Sequence, residues 1–339
     1  MACKGFLRTT PILDAIGSHN APIPKQALPP VSSSSVVKVI PHYAVRAEKK
    51  GFHSVWIPEH HMHGDAFTLL SAAAAKTEKI LLGTGVVSVF TRHPAITAMS
   101  IDTLNKVLGG RAILGIGLGD EQKLHHCFGY DVSRPTEALF EAVSIMKKYF
   151  AGRVDFEGKR FKAVGLSREF SEKPPKILIA AVGPKMLEVA GTLGDGVIFS
   201  ALSSIPYIRE AVRIVREACV NAGRDPEQLE YAGMVVSAAP KNMTELKKLA
   251  AMYLSWPHRA ERVLIGELSD RVDVSNLKRL VAEGFLDEAV SQIDDSIIFE
   301  LAIVTSRNVE TMLDRFFRAG LTLPILYPIG QPDYLQTIL

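Results

Sequence analysis

KILLGTGVVSVFTRHPAITAMSIDTLNKVLGGRAILGIGLGD, residues 79–120, is the stretch that decides the fold class. The apolar run 80–89 has the length of a buried strand and stops at Thr91-Arg92-His93-Pro94. Pro94 opens a helical repeat whose apolar members are Ile96, Met99, Ile101, Leu104 and Val107, and Gly109-Gly110 closes it. A second buried run, 112–116, empties into Gly117-Leu118-Gly119-Asp120. Two apolar strands separated by a helix predict a parallel pair with a right-handed crossover. The loops at the carboxyl ends of such strands are where parallel α/β proteins place their chemistry.

The same alternation extends outward. Upstream, residues 26–28 read as a short strand and 36–47 as an amphipathic helix ended by Gly51. Residues 54–57 form a strand that opens into Pro58-Glu59-His60-His61-Met62-His63-Gly64-Asp65, followed by a helix over 66–76. Downstream come helices over 121–128 and 135–150, a β-hairpin over 154–161, and a strand over 176–182. Gly183-Pro184-Lys185 then starts a helix to residue 193. Further strands are expected at 196–200, 231–238 and 323–327, with helices at 206–222 and 308–319. Residues 242–302 read as a helical insertion before the last strand, and one that could close over a ligand as a lid. Eight strands alternating with helices predict a (β/α)8 TIM barrel with insertions rather than an open sheet. Residues 1–24 read as an irregular N-terminal extension and 25–339 as one barrel domain.

Composition narrows the function. A net charge of +3 over 339 residues, without a basic cluster interleaved with aromatics, argues against nucleic acid. Cys3, Cys127 and Cys219 are far apart and lack CxxC spacing, which points to reduced thiols, a cytoplasmic setting and no zinc site. No apolar run reaches the roughly 18 residues that a membrane helix requires, and no signal peptide is apparent.

Four strand-end loops are candidates for function. Glu59-His60-His61 could hydrogen-bond a ring or move a proton, or could be solvated loop polarity. Around Gly83-Thr84-Gly85-Val86, glycine permits either close approach of a planar ligand or tight packing. The run Gly115-Ile116-Gly117-Leu118-Gly119-Asp120 is not the dinucleotide fingerprint GxGxxG, so NAD is not the first choice. Asp120 there could serve as a proton donor or as a helix N-cap. Gly183-Pro184-Lys185 makes a helix start suited to an anion, or an ordinary helix N-terminus with Pro in its first turn.

FTRHPAITAMSIDTLNKVLGGRAILGIGLGD strongly resembles the luciferase-like flavin and deazaflavin superfamily. IAAVGPKMLEVAGTLGDGVIFS and the FEGKRF hairpin are most similar to its methylenetetrahydromethanopterin reductase branch, whose members use coenzyme F420. The resemblance implies a TIM-barrel enzyme, a homodimer or higher oligomer, that passes hydride between F420 and a small organic or pterin-linked one-carbon substrate. FMN with monooxygenase chemistry is the alternative cofactor, and a non-catalytic cofactor-binding barrel is a third reading. The resemblance implies Asp120 and His60 as catalytic, proton-handling residues. It places Glu59, Thr84, Gly85, Val86, Gly117, Gly119, Gly183, Pro184 and Lys185 around the cofactor, with a bulged strand and a cis Gly85-Val86 bond beneath the ring. The reductases also carry a Glu on their first strand, whereas Lys25-Gln26-Ala27-Leu28-Pro29 offers only Gln26.

Overall fold

The computed structural model describes residues 9–11, 33–59, 64–169, 172–256, 258–305 and 309–330. In chain order the elements begin β1 (Thr9–Pro11), α1 (Ser33–Lys49), β2 (Ser54–Ile57), α2 (Ala66–Ala74), β3 (Leu81–Thr84), β4 (Val87–Ser88), α3 (Pro94–Val107) and β5 (Ala112–Gly117). They continue α4 (Glu121–Phe128), α5 (Pro135–Phe150), β6 (Arg153–Glu157), β7 (Lys162–Ser167), β8 (Lys176–Ala181), α6 (Pro184–Leu193), β9 (Gly196–Phe199) and α7 (Ile205–Asn221). The last third holds β10 (Glu230–Ala238), α8 (Met243–Ser255), α9 (Ala260–Val263), α10 (Val274–Glu283), α11 (Leu286–Ser291), α12 (Asp295–Leu301), β11 (Ile303–Val304), α13 (Glu310–Arg318) and β12 (Leu323–Ile329).

The sheet closes on itself. Strands β12, β1, β2, β3, β5, β8, β9 and β10 pair in parallel in that order, and β10 returns to β12. This is the TIM barrel expected from the alternation. The apolar strands are buried on both faces, helices outside and a packed lumen inside.

One expectation is corrected. The first barrel strand is Thr9–Pro11, registered with Ile325 of β12 on one side and with Ser54, Val55 and Trp56 on the other. Part of the stretch read as an irregular extension therefore lies in the sheet. Residues 26–28, expected to be that strand, lie outside the described residues. A three-residue strand carrying two threonines and a proline gives no hydrophobic alternation to detect. Thr9-Thr10-Pro11 supplies no carboxylate either.

Both insertions stand where the alternation breaks, after the fourth and seventh barrel strands. The hairpin β6–β7 is antiparallel, and its second arm runs on to Ser167, past the residues expected for it. Glu141 of α5 grips its turn: the carboxylate accepts the N–H of Lys159 at 2.8 Å, of Arg160 at 3.0 Å and of Phe161 at 2.9 Å. The run 242–302 is helical as expected, and β11, just beyond it, adds two parallel residues beside β10. Ile208, Val212 and Val215 of α7 belong to the core.

Candidate active site at the carboxyl end of the barrel

The floor of the site is made by what fills the lumen. Trp56 points inward from β2, fully buried, with its indole N–H donating to Ser54 Oγ at 3.0 Å. Around it pack Ile113, Leu178, Ile198, Ala232, Leu323 and Ile325. The strand glycines exist to accommodate this. A Cβ on Gly83 would lie 2.7 Å from the Trp56 ring, and one on Gly115 would lie 2.1 Å from Thr84 O. One on Gly117 would lie 3.0 Å from Ala180 Cβ. Close packing accounts for glycine at these three positions. The carboxyl-end residues of β5 and β8 are thus mostly small, Gly115, Gly117, Ala180 and Ala181, with Thr84 ending β3 beside them.

The run 80–89, expected as one strand, is two. β3 stops at Thr84, the Gly85-Val86 peptide is cis, and β4 resumes at Val87 to pair with Ile116 and Gly117 of β5. Main-chain bonds still tie the break to β2 and the residue after Pro58. Gly85 N–H donates to Ile57 O at 2.9 Å, and Glu59 N–H donates to Val86 O at 3.3 Å. Across the other edge, Thr84 Oγ1 donates to Gly115 O at 2.7 Å and accepts Gly115 N–H at 2.9 Å. Buried main-chain groups that lose a ladder partner must find another, and the Thr84 hydroxyl is that partner. Ser88 repeats the device, donating to Leu118 O at 2.6 Å and accepting Phe90 N–H at 3.2 Å.

The expected site residues sort as follows. Glu59, at the end of β2, is held by Arg92 through two bonds of 2.7 Å, one from each terminal nitrogen. Arg92 also bonds Asp65 and lies over the Phe67 ring. His60 and its neighbours to residue 63 lie outside the described residues. Asp120 is the N-cap of α4, accepting Lys123 N–H at 3.0 Å, and is exposed. Gly119, with φ of 76°, turns the chain into that cap beside Ser88. Gly183, Pro184 and Lys185 open α6, with Pro in the first turn and no side chain capping it.

Sequence reading missed several charged side chains that reach this end of the barrel. Glu121 follows Asp120. Burial pushes its carboxyl above its ordinary value of 4.5, with Arg262 opposing and the Asp120 charge adding. Arg262 lies against Gly183, where a Cβ would sit 2.8 Å from its Nη1. Arg259 is buried, its Nη1 donating to Ser200 Oγ at 2.8 Å and its Nη2 to Ala201 O. Its guanidinium covers Tyr253 and Trp256, which stack on each other. Ser204 Oγ donates to Val263 O at 2.6 Å. These bonds tie the α9 end of the insertion to the loop after β9. Arg92 stood in the motif FTRHP and had a readable signal: a lone cation between two acidic loops. Arg259 and Arg262 had none, because they enter from an insertion about sixty residues past β9.

Among the described residues no group of three or more His, Cys, Asp or Glu side chains could hold a metal ion. A family model described as luciferase-like monooxygenase matches residues 22–312. The chain belongs to this luciferase-like family. Within it, the chain is 37% identical over 227 residues to 5,10-methylenetetrahydromethanopterin reductase of Methanolobus tindarius, covering 67% of this chain and 69% of that one. It is 29% identical over 306 residues to the enzyme of the same name from Archaeoglobus fulgidus, covering 88% and 91%. The solved coenzyme F420-dependent tetrahydromethanopterin reductase of Methanopyrus kandleri superposes with a TM-score of 0.69 at 25% identity, covering 88% of this chain and 90% of that one.

Proposed function

We propose that the protein is a coenzyme F420-dependent oxidoreductase that moves hydride between the deazaflavin and a small organic or pterin-linked one-carbon substrate. The observation that carries this reading is the layer of glycine and alanine at the carboxyl end of β5 and β8, beside a helix start flanked by two cations. A floor of small residues suits a planar ring, and a cationic rim suits the phosphate attached to it. The similarity to the reductases supports the same reading, in which Gly85, Val86, Gly117 and Gly119 lie under the ring and Gly183, Pro184 and Lys185 at the phosphate. When bound, the deazaflavin supplies the two-electron chemistry.

The chain's own residues then bind, orient and handle one proton. Val86 and the glycines of β5 support the ring. Glu59, the residue before His60 in sequence, is locked by Arg92 at the end of β2. Of the two carboxylates after β5, Glu121 is the better proton donor, because burial keeps its proton on to higher pH. Asp120 is committed to capping α4. A homodimer belongs to the same proposal: Ile96, Met99 and Val107 form an exposed apolar stripe on α3, with Phe140 of the adjacent α5 also exposed. No helix among the described residues is long and apolar enough to cross a membrane, and we place the enzyme in the cytoplasm.

Separate equilibrium titrations with F420 and FMN, followed by anaerobic assay with methylene-pterins and secondary alcohols, test the reading. Tight F420 binding and substrate-dependent change of the deazaflavin absorbance are expected. Tight binding of FMN alone would overturn it.

A further inference from the structure

We propose that Trp256 is a specificity-determining residue, a platform on which a planar aromatic ring of the substrate stacks. The proposal rests on the oxidoreductase reading above and chooses within it, favouring a pterin-linked substrate over a small aliphatic one. Its starting point is burial. Trp256 is 38% exposed, although an indole is among the side chains that gain most by leaving water. The other tryptophan of the chain, Trp56, is fully buried in the lumen. The exposed ring stands at the mouth of the barrel. Arg259, whose guanidinium carbon lies 5.7 Å from the Trp256 ring, donates to Ser200 Oγ at 2.8 Å and to Ala201 O, the first two residues beyond β9. Three residues on, Arg262 lies against Gly183 beyond β8, and its charge acts on Glu121 beyond β5. The segment 256–262 therefore runs across the carboxyl ends of the sixth and fifth barrel strands towards the fourth.

The ring is held at a fixed angle. Tyr253, itself buried, stacks on it with centroids 4.6 Å and planes 21° apart. The Arg259 guanidinium carbon is 5.0 Å from the Tyr253 ring and 5.7 Å from the Trp256 ring. Three such similar separations put the cation beside the stack. On the far face of Trp256 it would lie much further from Tyr253. Tyr253 thus backs one face of the indole, Arg259 borders it, and neither covers the opposite face. A planar ring laid there would extend a stack of two rings to three. The main chain fixes the same segment: Trp256 N–H donates to Tyr253 O at 3.3 Å, and Arg259 N–H to Trp256 O at 3.1 Å. Both sides of the clamp use left-handed backbone at a residue other than glycine, Leu202 and His258, each with φ of 58°. Such conformations persist where the surroundings enforce them. Arg259 is buried, with a hydroxyl and a carbonyl as the partners of its two terminal nitrogens. Burying a guanidinium is costly, and what this one secures is the placement of Trp256. A platform ordered in advance loses little freedom when a ring arrives.

Anaerobic calorimetric titration of tetrahydromethanopterin into the wild type, Trp256→Phe and Trp256→Ala, with and without saturating F420, tests the proposal. Trp256 is exposed, so these variants should fold. Trp256→Ala is expected to weaken pterin affinity about five- to a hundred-fold, the range for loss of one stacked ring. In turnover it should raise KM for the pterin and leave kcat nearly unchanged. Trp256→Phe keeps a π face and should retain most of the affinity. F420 affinity, followed by deazaflavin fluorescence, should be unchanged in both. Arg259 acts as a positioning residue through the indole. Arg259→Lys loses the planar fork, so it should weaken pterin binding in the wild-type background and have no further effect in Trp256→Ala. General loss of stability would not produce that dependence. Pterin affinity unchanged in Trp256→Ala, or falling in step with F420 affinity, overturns the proposal. So does a wild type that binds F420 but no pterin. Should the wild type bind no F420, the F420 reading falls, and the pterin titration of the protein alone then decides for or against Trp256, with no binding counting against it.

Discussion

Arg92 grips Glu59 with two parallel bonds of 2.7 Å while its second nitrogen also reaches Asp65. One guanidinium thus joins the loop after β4 to the loop after β2 and to the N-cap of α2. Glu59 is nearly buried, with 9% of its side chain exposed, and Arg92 is a quarter exposed. The pair is shielded enough to matter and wet enough that its full Coulomb energy is not realised. Removing Arg92 leaves a buried carboxylate without its charged donors. Arg92→Ala should destabilise the protein by about 1.5–3 kcal/mol in urea unfolding. Arg92→Lys should recover less than half, because an ammonium cannot make the fork. Full recovery by lysine would show that only charge is at work.

The pH dependence of this corner has a definite sign. Burial alone would raise the Asp65 carboxyl, but the Thr68 N–H and hydroxyl and the Arg92 charge outweigh it and hold it below its ordinary 3.8. A carboxyl depressed in the folded state stabilises fully above its unfolded value. The contribution is lost as pH falls through the lower folded value. Asp65→Asn should therefore be less stable than the wild type near neutrality, by an amount typical of a lost N-cap, about 0.5–2 kcal/mol. The gap should close as pH drops below about 4. A gap that is constant down to pH 3, about one unit below the ordinary carboxylate range, would mean that Asp65 acts through shape alone.

Most of the barrel could be read from the sequence because buried parallel strands are long apolar runs bounded by glycine and proline. Residues 112–117 and 176–181 are of this kind, and both ended within a residue of expectation. β1 could not be read, since Thr9–Pro11 owes its place to pairing with β2 and β12 rather than to its own pattern. The site divides along the same line. Loops at strand ends were visible as motifs, but their partners were not. That Glu59 belongs to Arg92, and Gly183 lies beneath Arg262, depends on contacts across 33 and 79 positions, which no local spacing encodes.

Thr84 shows how a residue expected at the cofactor can be committed to the fold. Its hydroxyl both donates to and accepts from Gly115, bridging the gap that opens where β3 gives way to the bulge. Thr84→Val keeps the shape and removes both bonds, leaving a buried N–H and a buried C=O unpaired. At about 1–3 kcal/mol for each group, the variant should lose roughly 2–6 kcal/mol. Amide hydrogen exchange should localise the loss to Gly115 and its neighbours. Thr84→Ser, which keeps the hydroxyl, should retain the bonds and most of the stability. A stable Thr84→Val with weakened F420 binding would instead return Thr84 to the ligand.

Glu121 and Asp120 make the sharpest functional contrast, because the chain places them side by side and gives them opposite surroundings. Asp120 is exposed and caps α4. Glu121 is partly buried, with its carboxyl pushed up by burial, lowered by Arg262 and raised again by the Asp120 charge. An acid that must give up a proton works below its pKa, so turnover should fall as pH rises through the raised Glu121 value. Glu121→Gln should cut turnover by about a hundred-fold or more and erase that limb of the pH profile, with F420 affinity nearly unchanged. Asp120→Asn removes a neighbouring negative charge, which lowers the Glu121 pKa and moves the limb to lower pH. Arg262→Ala removes the opposing cation and moves the limb to higher pH. The two shifts in opposite directions are the signature of Glu121 as the titrating group. Abolition of turnover by Asp120→Asn, with Glu121→Gln still active, would transfer the role to Asp120.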